Sequence, residues 1–442
     1  MEKHMVAVVG AGPAGLFASR YLASNGIRVA LFNRDIKPGG LAEYGIYPDK
    51  IKMKTGLRKQ FSQIMELPNI EYFGNVKVSS GGPMFLSDLI KLGFQSILVT
   101  TGAQGTKWLN LPGEYLPGVY HAKDVVFHYN LLPPYSDRRY LIGPKVALVG
   151  AGNVMMDIAR YLIRDKKVEK VTVVVRRGPG EIKFTRQELE NVVTNLDFEK
   201  LDAEINRVAP IINAVGQDVE EARQSFKDGL AKALEPVSST ILEFNFLSSP
   251  TRIIGDWTKG STALEVEDNT LVAVDGRIKP KSLGTKRLIP ADTVIFAIGD
   301  TIDKEFPLPI EWDSYAANPD PSYPIEGVSY EAFDPDTKTA IKSVFLAGWA
   351  RLASTGLVGV ARKDGENAAR AILQYLETVP VIENLEEKYG DFRKWVNDNL
   401  HQVITKEDLL KIESVEQEKQ RSLDLKDFKF ETNDEMLIIA GK

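Results

Sequence analysis

The sequence predicts an α/β protein of two Rossmann-like domains, the second inserted into the first. Three observations carry this expectation. Val6 to Asn33 (VAVVGAGPAGLFASRYLASNGIRVALFN) reads as apolar strand, glycine turn, amphipathic helix and second apolar strand. Lys145 to Arg177 (KVALVGAGNVMMDIARYLIRDKKVEKVTVVVRR) repeats that order. Two further strands end in glycine, SILVTTGA (Ser96 to Ala103) and TVIFAIGD (Thr293 to Asp300), and mark where the chain crosses between domains. The expected divisions are 1–104 and 302–442 for the outer domain and 105–301 for the inserted one.

The chain has 442 residues, enough for two or three domains, with an ordinary globular balance of 43% hydrophobic and 26% charged residues. A formal net charge of -5 argues against a general nucleic-acid binder. The absence of cysteine excludes disulfides, thiolate nucleophiles and Cys-held iron–sulfur clusters. No apolar run approaches membrane-spanning length, and the first strand starts too early for a signal peptide to precede it. A cytoplasmic protein without a membrane span is expected.

In the first glycine loop, Gly10 allows the turn, Gly12 lets the backbone approach a pyrophosphate, and Gly15 lets the helix sit close on the strand. The helix N-terminus beyond Pro13 and Ala14 offers N–H groups and a positive dipole end to phosphates. An acid is expected at the end of the second strand to hold the ribose hydroxyls. Asn33 stands there, an amide lacking the charge-assisted bond of a carboxylate, with Asp35 two residues on. The second loop, Gly150 to Met155, keeps Gly152, Asn153 and Val154 at the turn but has Met155 where a small residue is usual. Its second strand ends in Arg176 and Arg177 where a carboxylate would meet an unmodified ribose. A guanidinium fork matches a phosphate monoester bidentately, so the doubled arginine predicts a 2′-phosphate site and NADP over NAD. The other dinucleotide is then most simply FAD, a flavin that the nicotinamide loads with electrons. On this reading the NADP domain is inserted into the FAD domain.

A third segment, Ser343 to Glu377, begins as an apolar strand and continues as a helix from near Thr355, with Trp349 between. A helix N-terminus there suits the charge of a reduced flavin. Ile310 to Thr337, rich in Pro, Asp, Ser and Tyr, reads as an irregular surface connection. From Leu385 onward the chain reads as a charged, helical tail on the outside.

Taken together, GAGPAG, LPGEYLPGV, VGAGNVMMDIAR, RRGPGEIKFTRQEL, GWARLASTG and the terminal EML resemble the adrenodoxin-reductase-like ferredoxin–NADP reductases over nearly the whole chain. The glycine loops are shared with other flavoproteins, including the glutamate synthase small subunit. The resemblance implies that Gly10, Gly12, Pro13, Ala14, Gly15, Gly40, Leu41 and Val78 contact FAD, with Asn33 at the family's ribose glutamate. Gly348, Trp349, Gly356, Leu357 and Val358 would lie at the flavin end. Gly152, Asn153, Val154 and Met155 would meet the NADP pyrophosphate, Arg176 and Arg177 the 2′-phosphate, and Glu188 the nicotinamide nucleotide. Lys50 stands where adrenodoxin reductases carry a histidine. No acid–base or metal residue is implied as catalytic.

The family implies hydride transfer between NADPH and FAD, and single electrons passed to or from an external carrier, most simply ferredoxin. Ferredoxins are usually acidic, so a basic face is expected to receive one. Lys50, Lys52, Lys54, Arg58 and Lys59 form one candidate set, and Arg351, Arg362 and Lys363 another. Two other readings remain open from sequence: an NADPH dehydrogenase feeding a quinone or other small acceptor, and a cofactor-holding subunit of a larger electron-transfer complex. Carrier identity, direction of flow and oligomeric state are not encoded in any motif.

Overall fold

The computed structural model describes residues 3–442. The chain divides into two compact units. The first takes in the residues up to Thr106, Phe127–Asp137 and Asp300–Lys442; the second takes Lys107–Val126 and Arg138–Gly299.

The first unit is built on a six-stranded sheet in the order β17-β18-β4-β1-β2-β3. Its strands are β1 (His4–Val9), β2 (Ile27–Phe32), β3 (Ile70–Phe73), β4 (Ser96–Val99), β17 (Glu331–Asp334) and β18 (Thr339–Leu346). All pairs are parallel except β17 with β18. Parallel strands covered on both faces read as continuous apolar runs, and β1 shows it. Val6 and Val8 enter one core, while Met5, Ala7 and Val9 enter another on the opposite face. Helices α1 (Pro13–Ser24) and α11 (Val358–Leu376) lie on the first face. Helices α2 (Leu41–Tyr44), α3 (Ile51–Met65), α4 (Leu86–Lys91) and α10 (Trp349–Leu352) fill the connections. Two short antiparallel pairs, β5 (Gly105–Thr106) with β14 (Asp300–Thr301) and β15 (Ile310–Glu311) with β16 (Ser314–Tyr315), complete the unit. The segment expected to be irregular thus holds β15 and β16 and contributes β17 to the main sheet.

The charged tail is not an outer appendage. Helix α12 (Leu385–Asn399) buries Tyr389, Phe392 and Val396 in one core. Helices α13 (Lys406–Ser422) and α14 (Asn433–Ala440) put Leu409, Ile412 and Met436 into the other. On α13, Leu409, Ile412 and Glu416 recur at helical spacing on the buried side. One of those three is a carboxylate, which hides the apolar stripe from a composition-based reading.

The second unit repeats the plan. A five-stranded parallel sheet runs β6-β13-β7-β8-β9, made of β6 (Val119–His121), β7 (Lys145–Val149), β8 (Lys170–Val174), β9 (Ile241–Asn245) and β13 (Thr293–Phe296). Helices α6 (Asn153–Tyr161), α7 (Arg186–Leu189), α8 (Phe198–Ala214) and α9 (Val219–Asp228) accompany it. Helix α5 (Ala122–Tyr129) begins in this unit and ends in the first. An antiparallel sheet of β10 (Ser248–Asp256), β11 (Gly260–Val274) and β12 (Arg277–Pro290) is added.

In each parallel sheet the strand order turns back at one point, between β1 and β4 and between β7 and β13. The glycine loops follow β1 and β7. Both therefore open at the switch point, where doubly wound folds bind ligands.

Candidate functional sites

In the first unit, Gly10 has φ of 111°, and a Cβ there would lie 2.5 Å from the Thr100 carbonyl oxygen beyond β4. A Cβ on Gly15 would fall 1.9 Å from the Gly10 carbonyl oxygen, so only glycine lets α1 start this close to β1. At Gly12 the space is open, with nothing within 4 Å of a built Cβ. Gly12 is the N-cap of α1, and no side chain caps it; Pro13 occupies the first turn. An open approach to an uncapped helix N-terminus fits a pyrophosphate.

Three other segments converge on this loop. The Gly39 N–H donates to the Ala11 carbonyl at 2.7 Å, and a Cβ on Gly40, at φ 50°, would stand 3.2 Å from the Gly12 Cα. Gly348, which begins α10 at φ 68°, would place a Cβ 2.8 Å from that of Ala14, and Gly365 of α11 abuts the Ala14 backbone. The Gly348 N–H donates to Asp364 at 2.7 Å, and Asp364 also pairs with Arg351. The Trp349 indole donates to the Thr355 carbonyl at 2.9 Å. Beyond it, Gly356 has φ 84°, Leu357 is the uncapped N-cap of α11 and 77% exposed, and Val358 opens the helix. Leu41 starts α2, while Val78 is buried in the core with Val9 and Val99.

Asn33 follows β2 and is 8% exposed. Its Oδ1 accepts from the Ala11 N–H at 3.0 Å, and its amide donates to the Asp35 and Lys37 carbonyls at 2.9 and 3.0 Å. Both amide hydrogens are thus committed to the backbone. One oxygen lone pair remains, so the residue braces the loop more than it presents a group to a ribose.

Behind α2 lies a buried charge network that the sequence reading missed. Glu43, 4% exposed, accepts from Arg58 at 2.6 and 2.7 Å and pairs with Lys429 at 2.8 Å. Arg58 also holds Asp427 at 2.7 Å, and Lys37 pairs with Glu416. Lys429 donates to the carbonyls of Glu43 and Asn130, and Lys54 to the Asn130 side chain at 2.8 Å. Burial alone would raise the Glu43 pKa, but Arg58, Lys429 and Lys37 hold it far below the usual carboxylate range. Lys54, 2% exposed, is brought down to about 7 by burial first and then by the charge of Lys429. Lys37, Arg58 and Lys429 thus face Glu43, Glu416 and Asp427. The sequence signal was faint: an acid three residues after Gly40 at the start of a short helix. Two of the basic residues expected on a docking face, Lys54 and Arg58, belong to this network instead. Arg351 is likewise turned inward, onto Asp364 and over the Tyr330 ring at 4.5 Å.

The second unit repeats the loop geometry. Gly150, at φ 146°, would set a Cβ 2.3 Å from the Ala297 carbonyl oxygen beyond β13, and the space at Gly152 is open. Gly152 is the uncapped N-cap of α6. Met155 is fully buried, so the side chain expected to hinder close packing becomes core. Asn153 Oδ1 accepts from the Thr185 N–H at 2.9 Å, and the Lys183 N–H donates to the Ala151 carbonyl at 2.8 Å, drawing the segment before α7 over the loop. Val154 is 48% exposed beside it, and Glu188 lies half-buried on α7. Arg176 and Arg177 leave the end of β8. Arg177 pairs with Glu181 at 2.9 Å; the Arg176 side chain is exposed and unpartnered among the described residues.

Comparison with known proteins agrees with this geometry. Residues 4–202 match the pyridine nucleotide-disulphide oxidoreductase family. The NADPH-ferredoxin reductase FprA of Mycobacterium leprae is 28% identical over 441 residues, covering 91% of each chain. The mitochondrial NADPH:adrenodoxin oxidoreductase of Salvelinus fontinalis is 27% identical, over 84% of this chain and 77% of that one. The fold superposes on that of Mycobacterium tuberculosis FprA, solved in complex with NADPH, with a TM-score of 0.81 at 24% identity over the full length of both. The chain is thus homologous to the NADPH-ferredoxin reductase FprA and to the NADPH:adrenodoxin oxidoreductases, and it shares the fold of FprA.

Proposed function

We propose that this protein is an FAD-dependent ferredoxin–NADP reductase. The first unit would hold FAD and the second NADP. Bound together, the two cofactors would supply hydride transfer between nicotinamide and flavin, with single electrons exchanged with an external carrier.

The chain's own residues position and select. Gly10, Gly12, Pro13, Ala14 and Gly15 offer backbone N–H groups and a helix end to the FAD pyrophosphate. Asn33 fixes the shape of that loop. Gly40, Leu41 and Val78 line the nucleotide's path by backbone. Gly348, Trp349, Gly356, Leu357 and Val358 border the flavin, and the N-terminus of α11 favours negative charge there. In the second unit, Gly152, Asn153, Val154 and Met155 form the NADP pyrophosphate loop, Arg176 and Arg177 take the 2′-phosphate, and Glu188 touches the nicotinamide nucleotide. No side-chain acid or base is needed for hydride transfer, and with no cysteine in the chain the iron–sulfur centre belongs to the carrier. Ferredoxin is the carrier this reading favours, and the cytoplasm its compartment. No helix among the described residues is long and apolar enough to cross a membrane.

The observation that carries the reading is the pair of uncapped, open glycine loops at two switch points, the second ending in doubled arginine rather than an acid. The test is anaerobic stopped-flow absorbance of the purified protein mixed with NADPH and separately with NADH. Fast bleaching by NADPH and slow bleaching by NADH are expected. A colourless protein, or a flavin that neither nucleotide bleaches, would overturn the reading.

A further inference from the structure

Beside Arg177 the second unit has an open cavity of about 530 Å³. One wall is the doubled-arginine segment with Glu181, backed by Gln217. The other is the tip of the β11–β12 hairpin, with Arg277 and Lys279. The hairpin turns at Asp275 and Gly276, both at positive φ, the two-residue turn that Asp-Gly favours. Arg277 and Lys279 are two apart on one strand and so share a face.

This wall is tied to the doubled arginine by hydrogen bonds. Asn269 of β11, 3% exposed at a register shift in the ladder, donates its amide to the Arg176 carbonyl at 3.0 Å. Its N–H donates to the Leu247 carbonyl at 2.7 Å, and the Leu247 N–H donates to the Arg177 carbonyl at 3.1 Å. The stem of the hairpin and the end of β8 are therefore one hydrogen-bonded piece.

The charges are unbalanced. The one carboxylate in the lining, Glu181, is taken by Arg177. Among the described residues, neither the Arg277 nor the Lys279 side chain makes a hydrogen bond or ion pair; their backbones pair only within the β11–β12 ladder. Exposed lysines on an edge strand such as β12 also deter strand pairing, but that role needs no shared cavity with Arg177.

We propose that Arg277 and Lys279 are specificity-determining residues that form the second wall of the phosphomonoester site, so that the 2′-phosphate of NADP is held between the hairpin tip and Arg177. This rests on the reading of Arg176 and Arg177 given above. Three cations around one dianion give charge-assisted contacts on two sides, which a strand end alone does not supply.

The test is calorimetric binding of 2′,5′-ADP and of 5′-AMP to the purified holoenzyme. It compares the native protein, an Arg277→Ala/Lys279→Ala variant and an Arg176→Ala/Arg177→Ala variant. The hairpin variant should weaken 2′,5′-ADP about tenfold or more and leave 5′-AMP within about twofold. Arg277→Lys, which keeps the charge, should lose less. Unchanged 2′,5′-ADP affinity in the hairpin variant, with a loss in the Arg176/Arg177 variant, would overturn the hairpin role and keep the doubled-arginine site. Unchanged affinity in both would overturn the 2′-phosphate site itself and the hairpin role with it. Equal loss of both ligands in the hairpin variant would show that the tip supports the fold rather than the phosphate, and would also overturn the proposal.

Discussion

Glu43→Gln is expected to loosen the flavin site without touching it. The carboxylate is 4% exposed and holds two cations at 2.6 to 2.8 Å. Replacing it with a neutral amide leaves Lys429 buried beside no carboxylate. Arg58 suffers less, because its side chain is one-third exposed and keeps Asp427. Removing one partner of a buried pair costs 3–5 kcal/mol, and the surviving Arg58–Asp427 pair points to about 3. The loss should reach the glycine loop because Glu43 sits in α2, directly after Gly39–Gly40. A Cβ on Gly39 would stand 3.0 Å from the Glu43 Cβ, and Gly40 faces Gly12. Urea unfolding followed by flavin fluorescence gives the stability, and the flavin-to-protein absorbance ratio after gel filtration gives retention. Lys429→Met in the same background should restore part of the loss, a coupling of about 1–3 kcal/mol, because it removes the stranded charge. Stability unchanged within about 0.5 kcal/mol with flavin fully retained would refute the argument that this network braces the loop.

Three further outcomes are expected. Arg176→Ala with Arg177→Ala should lower kcat/KM for NADPH roughly ten- to a hundredfold and leave NADH nearly unchanged, read by steady-state kinetics; equal losses would remove the 2′-phosphate assignment. Asn33→Asp keeps the shape but loses both N–H donors, so the Lys37 carbonyl loses its side-chain donor while the Asp35 carbonyl keeps the Asn75 N–H at 3.2 Å; a loss of about 1–3 kcal/mol with weaker flavin retention is expected, and an unchanged urea midpoint would contradict it. The Lys54 pKa lies below its unfolded value, so between about pH 7 and 10.5 the unfolded chain binds the extra proton and stability rises with pH. The slope from this group approaches roughly 1.4 kcal/mol per pH unit, and Lys54→Met should flatten it; an identical slope in the variant would sink the assignment.

Much of the first site was legible because its constraints are local. Gly10, Gly12 and Gly15 are dictated by backbone contacts within one strand–turn–helix unit, and Gly150 and Gly152 by the same contacts in the second. The doubled arginine declared itself by position, at the end of a strand where another charge was due. Asn33 follows the end of β2 as the pattern predicts, but its bonds to Ala11, Asp35 and Lys37 depend on loop closure that no pattern reveals.

Amino-acid order by itself determined the two dinucleotide folds, because glycine turns and apolar strand runs act within about thirty residues of one another. Tertiary structure alone decided which charges face water. Arg58, Glu416 and Lys429 look like surface residues in sequence, yet they meet in one buried network because the opposite charges come from distant segments, Asp427 for Arg58, Lys37 for Glu416 and Glu43 for Lys429. Arg277 and Lys279 look like ordinary edge-strand cations, and only the bonds from Asn269 and Leu247 bring their hairpin to the doubled arginine. A charge in water needs no partner, whereas a buried one requires it, and that partner is chosen by the fold.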